Sequence, residues 1–123
     1  MIIGIGVDVV HVCRIDRWIG VPGLPERFFH PEELASAMSR GSSTALSLAA
    51  RFAAKEAFGK ALGTGLRGIR LADIRVINNH NGRPDIELYG SARKRFEDSG
   101  ATRIFLSLTH ERDNAIAMVV MEA

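Results

Sequence analysis

The spacing of apolar positions changes several times along the chain, and each change marks an element. Met1–Val10 (MIIGIGVDVV) is a short β-branched run and predicts a buried strand. Val12, Ile15, Trp18 and Ile19 then recur at helical spacing, so residues 11–19 predict an amphipathic helix. Gly20–Pro25 reads as a turn-rich connector. Pro31 with Glu32 and Glu33 marks a helix start, proline in the first turn and acids near the positive end, and that helix runs to about Met38. Arg40–Thr44 is a polar break in which Ser43 or Thr44 caps a long, alanine-rich helix ending at Leu62, before a glycine stop at Gly63.

The second half reads mainly as strands. Ile74–Ile77 and Asp85–Tyr89 flank Asn81-Gly82, a strong hairpin signal extended by Arg83-Pro84. Ser91–Asp98 predicts a short basic helix stopped at Gly100. Arg103–Thr109 and Ala115–Met121 predict two further strands around a polar turn, His110–Asn114. The order βαααββαββ, with an antiparallel sheet built from hairpins and one long helix, predicts an α+β fold over residues 1–123 as a single domain.

Composition narrows the class without naming a function. Of 123 residues, 46% are hydrophobic and 24% charged, which is ordinary for a globular chain able to build a core without staples. Cys13 is the only cysteine, so neither an internal disulfide nor a cysteine-based zinc site is available, which fits a reducing, cytoplasmic setting. No signal peptide or membrane-spanning run is expected. A net charge of +2 does not point to nucleic acid.

Three places carry candidate chemistry. Asp8 interrupts an apolar strand, and a carboxylate there is costly unless it is paired, caps a helix or binds a metal. An N-cap for the next helix and a metal ligand account for it equally well. In the long helix, at about 100° per residue, Ala53, Ala57, Phe58, Ala61 and Leu62 share one side. Lys55, Glu56, Gly59 and Lys60, with Phe52 among them, share the other. That polar side is either a solvated face with a Glu56–Lys60 ion pair, or a glutamate that holds a metal while lysines meet an anion. Further on, Ser107 and Thr109 share a strand face, and His110 and Glu111 begin the turn. Hydroxyls and an imidazole suit phosphate and a carboxylate can take a proton, but a plain polar hairpin end has the same composition. Gly63–Gly68, with three glycines, suits close backbone approach to a ligand, yet matches neither a P-loop nor a dinucleotide fingerprint. Arg14 and Arg17 on the first helix are either solvated or a dock for an acidic partner.

GIGVD at residues 4–8, RFAAKEAFGKALGTG at 51–65 and SLTHERDNAIA at 107–117 together resemble the phosphopantetheinyl transferases, of the short single-domain type, over essentially the whole chain. The resemblance implies that fold, and transfer of the 4′-phosphopantetheine arm of coenzyme A to a serine of apo acyl carrier protein. It further implies release of 3′,5′-ADP, dependence on Mg²⁺ and service to lipid or polyketide synthesis. It implies Asp8 and Glu56 as metal ligands, and Lys60 near the reacting phosphates. The coenzyme A set it implies is Arg51, Lys60, Gly63, Gly65, Gly82, Arg83, Pro84, Ser107, Thr109 and His110. Arg14 and Arg17 become the carrier-protein dock. A water at the metal and Glu111 are both candidates to deprotonate the serine, the water preferred. Family trimers have sites between subunits, so the second cluster is expected to serve a neighbour's Asp8 and Glu56. Larger relatives carry an acid where this chain has Val10, a coordination position left to water. A non-catalytic coenzyme A or carrier-binding module, and a Mg²⁺-dependent pyrophosphatase acting on coenzyme A, are the competing readings.

Overall fold

A computed structural model describes all residues, 1–123. The elements are β1 (Ile2–His11), α1 (Val12–Ile19), α2 (Leu24–Phe28), α3 (Pro31–Met38), α4 (Thr44–Leu62), β2 (Ile74–Asn78), β3 (Pro84–Leu88), α5 (Gly90–Asp98), β4 (Arg103–Glu111) and β5 (Asn114–Glu122). The fold is mixed α+β with antiparallel pairing, as expected, but four helices rather than three precede β2. The extra one, α2, lies in what reads as a connector. Gly23 takes a left-handed conformation at its N-cap and Pro25 sits in its first turn, where a proline loses no hydrogen bond. Tertiary contact keeps so short a helix: Phe28 lies 5.1 Å from the Trp18 ring and 5.9 Å from Phe52.

Two sheets form, β1-β5-β4 and β2-β3. The hairpin expectation describes β2-β3 and β4-β5. The centre of the larger sheet is β5, which also pairs antiparallel with β1, so the two ends of the chain close it. His110 and Glu111 are not in a turn. They continue β4, opposite Ala115 and Asn114, and the chain reverses at Arg112-Asp113 with Arg112 at φ 48°.

Helix α4 lies across β1 and β5. Gly4 and Gly6 explain how closely: a Cβ at either would overlap a helix carbonyl, Ala61 O or Ala57 O respectively. The helix contributes Ala53, Ala54, Ala57 and Phe58 to the core, all fully buried. The expected polar side of α4 is only partly present. Lys55, Gly59 and Phe52 are buried, whereas Lys60 is exposed and Glu56 half-buried. A helix enclosed on nearly all sides does not show a simple amphipathic stripe. Lys55 tolerates burial because Glu33 of α3 pairs with it at 2.7 Å.

The opposite face of the larger sheet is uncovered. Ile5, Val7 and Val9 are 58%, 51% and 56% exposed, and Met118, opposite Val7, is 46% exposed. An apolar sheet face of this kind calls for a partner. No helix is long and apolar enough to cross a membrane.

Candidate active site

Asp8 is carried on the face of β1 that meets α4, two residues beyond Gly6. It does not cap α1: the N-cap residue is His11, and no side-chain cap bond forms there. The close strand–helix approach brings Asp8 to the second half of α4. The Lys60 ammonium donates to Asp8 Oδ1 at 2.9 Å and to the Val7 carbonyl at 3.0 Å. The Glu56–Lys60 pair that a plain solvated face would carry does not form, and Lys60 pairs across elements instead. Lys60 remains 54% exposed on its side chain, so its ammonium is accessible to a solvent-borne anion while paired with Asp8.

Burial pushes the Glu56 carboxyl above its ordinary range, and the Asp8 charge pushes it further. Arg14 and Lys60 act in the opposite sense. Asp8 and Glu56 thus form a pair of carboxylates close enough to repel, with cationic groups at the margin. Two hard oxygen donors at an accessible site suit Mg²⁺, which takes one or two carboxylates and fills its remaining positions with phosphate oxygens and water. No group of three or more His, Cys, Asp or Glu gathers in the fold. Val10 is 1% exposed in the core and offers no further oxygen.

Arg14 is exposed on α1, with its guanidinium carbon 4.8 Å from the Trp18 ring centre and 5.4 Å from that of Phe52. Stacking of this kind orients a guanidinium without neutralising it. Arg17, also exposed, lies in the last turn of the same helix.

A second site lies elsewhere on the chain. A cavity of about 370 Å³ opens between the first half of α4, the end of β2 and the end of β4. Arg51, Thr109 and His110 line it, together with Arg40, Ser47 and Asn78. The last three escaped the sequence reading as site residues, although for Ser47 a signal was there: Ser43 at the N-cap, Ser47 and Arg51 recur every four residues along the mostly apolar first half of α4. Arg51 Nε donates to Ser47 Oγ at 3.4 Å along it. None of Asp8, Glu56 and Lys60 lines this cavity.

The remaining candidates are dispersed. Ser107 is exposed opposite Met118, on the uncovered sheet face. Gly82 and Arg83 form the exposed β2–β3 turn, with Gly82 at φ 79°, and Pro84 begins β3. Glu111 is exposed at the end of β4. Gly63 closes α4 in a left-handed conformation and Gly65 is also left-handed, its N–H donating to Gly59 O at 3.0 Å. That loop is tied to α5 by Arg95, which donates to Thr64 Oγ1 and to the Arg67 carbonyl, both at 3.0 Å.

The family model of the 4′-phosphopantetheinyl transferase superfamily matches residues 4–119. A holo-[acyl-carrier-protein] synthase of Treponema denticola is 52% identical over 122 residues, 99% of each chain. The crystal structure of the holo-[acyl-carrier-protein] synthase from Neisseria meningitidis superposes with a TM-score of 0.90 at 38% identity, covering 100% of both chains. That of the Bacillus anthracis synthase in complex with coenzyme A (3′,5′-ADP) superposes with a TM-score of 0.83 at 33% identity, covering 100% of this chain and 98% of that one. The chain belongs to the 4′-phosphopantetheinyl transferase superfamily and, within it, to the holo-[acyl-carrier-protein] synthases. It is accordingly an enzyme of the transferase class.

Proposed function

We propose that this chain moves the 4′-phosphopantetheine arm of coenzyme A onto a serine of apo acyl carrier protein, with Mg²⁺ as cofactor, releasing 3′,5′-ADP. The observation that carries the reading is the meeting of Asp8, Glu56 and Lys60 across β1 and α4, two carboxylates and one solvent-exposed ammonium paired with Asp8 at an open site. In the reaction the serine oxygen forms a bond to the phosphorus that bears the pantetheine arm. The bond from that phosphorus to the ADP oxygen breaks, and the serine gives up its proton. Asp8 and Glu56 would hold Mg²⁺, which when bound neutralises charge on the pyrophosphate. Lys60, exposed on its side chain, turns from Asp8 toward the phosphate oxygens. Arg51, Thr109 and His110 hold the nucleotide end of coenzyme A in their cavity, with Gly82-Arg83-Pro84, Ser107 and the Gly63–Gly65 loop as outer contacts. Arg14 and Arg17 meet the acidic carrier protein.

The distance in sequence between the two clusters, and the uncovered β1-β5-β4 face, support a trimer with active sites between subunits. A head-to-tail interface that closes after three copies covers Ile5, Val7, Val9 and Met118 and brings one chain's His110 segment to the next chain's Asp8 and Glu56. Cys13, free and exposed, fits the reducing cytoplasm proposed for this chemistry.

The test is a mass spectrum of apo acyl carrier protein after incubation with the chain, coenzyme A and Mg²⁺. A gain of one phosphopantetheine arm is expected. Cleaved coenzyme A with unmodified carrier would instead identify a pyrophosphatase, and neither change would leave a binding module.

A further inference from the structure

The outer edge of β2 has no neighbouring strand, and three side chains stand in for one. Lys55 Nζ donates to the Ile74 carbonyl, Glu33 Oε2 accepts from Val76 N–H at 3.0 Å, and Arg51 Nη1 donates to the Val76 carbonyl at 2.9 Å. All three residues are buried, at 0%, 1% and 5% exposure. The Lys55–Glu33 pair closes at 2.7 Å. Both make further bonds: Lys55 Nζ reaches the Leu71 carbonyl at 2.8 Å, and Glu33 Oε1 accepts from His30 N–H at 2.9 Å.

Stability alone does not account for such a pair. A buried ion pair is often matched or exceeded in stability by apolar residues of similar volume. What an apolar substitute does not supply is a fixed charge and fixed acceptors beside Arg51. The Arg51 guanidinium is shared between two places. On one side it lines the cavity with Thr109 and His110. On the other it lines a smaller one, about 200 Å³, with Glu33, Ser36 and Val76, and donates to Ser36 Oγ at 3.2 Å. Burial depresses the proton affinity of Arg51, and the Glu33 charge is the opposing influence. Glu33 and Arg51 also grip the same residue, Val76, one at its N–H and the other at its carbonyl.

We propose that Glu33 is a positioning residue for coenzyme A: with Lys55 it fixes the outer edge of β2, and through Val76 it sets the Arg51 guanidinium in the cavity it shares with Thr109 and His110. The proposal rests on that cavity taking coenzyme A, as set out above. It concerns binding rather than the chemical step, since Arg51 stands apart from Asp8, Glu56 and Lys60.

Calorimetric titration of the full chain with coenzyme A, alongside steady-state transfer kinetics, tests it. Glu33→Gln is expected to weaken coenzyme A binding about tenfold, the size of one charge-assisted hydrogen bond. Its KM for coenzyme A should rise more than its kcat falls, with the KM for carrier protein within about twofold of wild type. Arg51→Lys should weaken binding by itself, and adding Glu33→Gln to it should cost little more, because both act through one guanidinium. Ser36→Ala, which leaves the buried pair intact, should move the same constants in the same direction by a smaller factor. A folded Glu33→Gln with wild-type affinity, or a loss that adds in full to that of Arg51→Lys, overturns the proposal. Should Glu33→Gln fail to fold, unchanged affinity in Ser36→Ala overturns it. Wild-type protein that binds no coenzyme A overturns the underlying reading too, whereas wild-type binding with insensitive variants overturns only the role of Glu33.

Discussion

Lys60 donates to the carboxylate of Asp8, 52 positions away, rather than to Glu56 on its own helix. That bond joins a strand to a helix and leaves Glu56 without an ion-pair partner beside a second carboxylate. Removing either carboxylate should therefore cost activity rather than fold. Asp8→Ala and Glu56→Ala are each expected to lower kcat by about 10²- to 10³-fold, typical of losing a main electrostatic element of a site. Their thermal unfolding should remain cooperative. Full wild-type activity in excess chelator would sink the metal assignment.

Glu56 should also reveal itself through stability in the metal-free protein. Burial and Asp8 hold its folded-state carboxyl above the unfolded value. The folded chain then binds that proton more tightly, so this contribution is fully present below the unfolded value and is lost as pH rises through the folded one. Glu56→Gln should melt higher than wild type near neutral pH, with the gap closing below the ordinary glutamate range. Mg²⁺ should raise the Tm of wild type more than that of the variant. Parallel pH–Tm curves would show that Glu56 carries no such strain.

Charge reversal at Arg14 probes the dock. Its guanidinium rests on Trp18 and Phe52 and stays exposed. Arg14→Glu should raise the KM for carrier protein about tenfold or more, with little change for coenzyme A, and flatten the salt dependence of association. An unchanged carrier KM places the dock elsewhere.

Gly6 tests the strand–helix contact that assembles the carboxylates. A methyl group there meets the Ala57 carbonyl, which is backbone and cannot rotate away. Gly6→Ala is expected to destabilise by about 3 kcal/mol, the upper end of ordinary overpacking, and to lower activity by displacing Asp8 from α4. Denaturant unfolding and transfer assays on the same sample check both. A variant of wild-type stability would mean that α4 moves freely on β1.

Subunit sharing predicts complementation between Asp8→Ala and His110→Ala. Each alone should be inactive. Refolded together in equal amounts and assorted at random, they should recover about a quarter of sites, because an intact site needs its metal side from one variant and its His110 side from the other. Mixed oligomers that remain inactive would place a complete site within each chain.

Periodicity and turn chemistry were enough to reveal the α+β class, the long helix to Leu62, its Gly63 stop and both hairpins, because those signals are local: a face repeats every few residues, or a turn needs a particular backbone. Asp8, Glu56 and Lys60 stood out as polar residues in apolar surroundings, but residue pattern left cap, solvated face and metal ligand open, and only the family resemblance chose among them. The tertiary structure decided what each touches. Lys55 and Lys60 look alike in sequence, yet one is buried against Glu33, 22 positions away, and the other reaches Asp8 at the surface. The glycines at 4 and 6 read as part of a strand, and only the packed helix shows that they are the absence of side chains that α4 requires. Helix α2 has five residues, too few to be stable by propensity, and exists through Phe28 against Trp18 and Phe52. His110 reads as a turn residue until its pairing with Ala115 extends β4. Burial and cross-element pairing depend on residues distant in the chain, and no local pattern encodes which of two identical side chains will meet them.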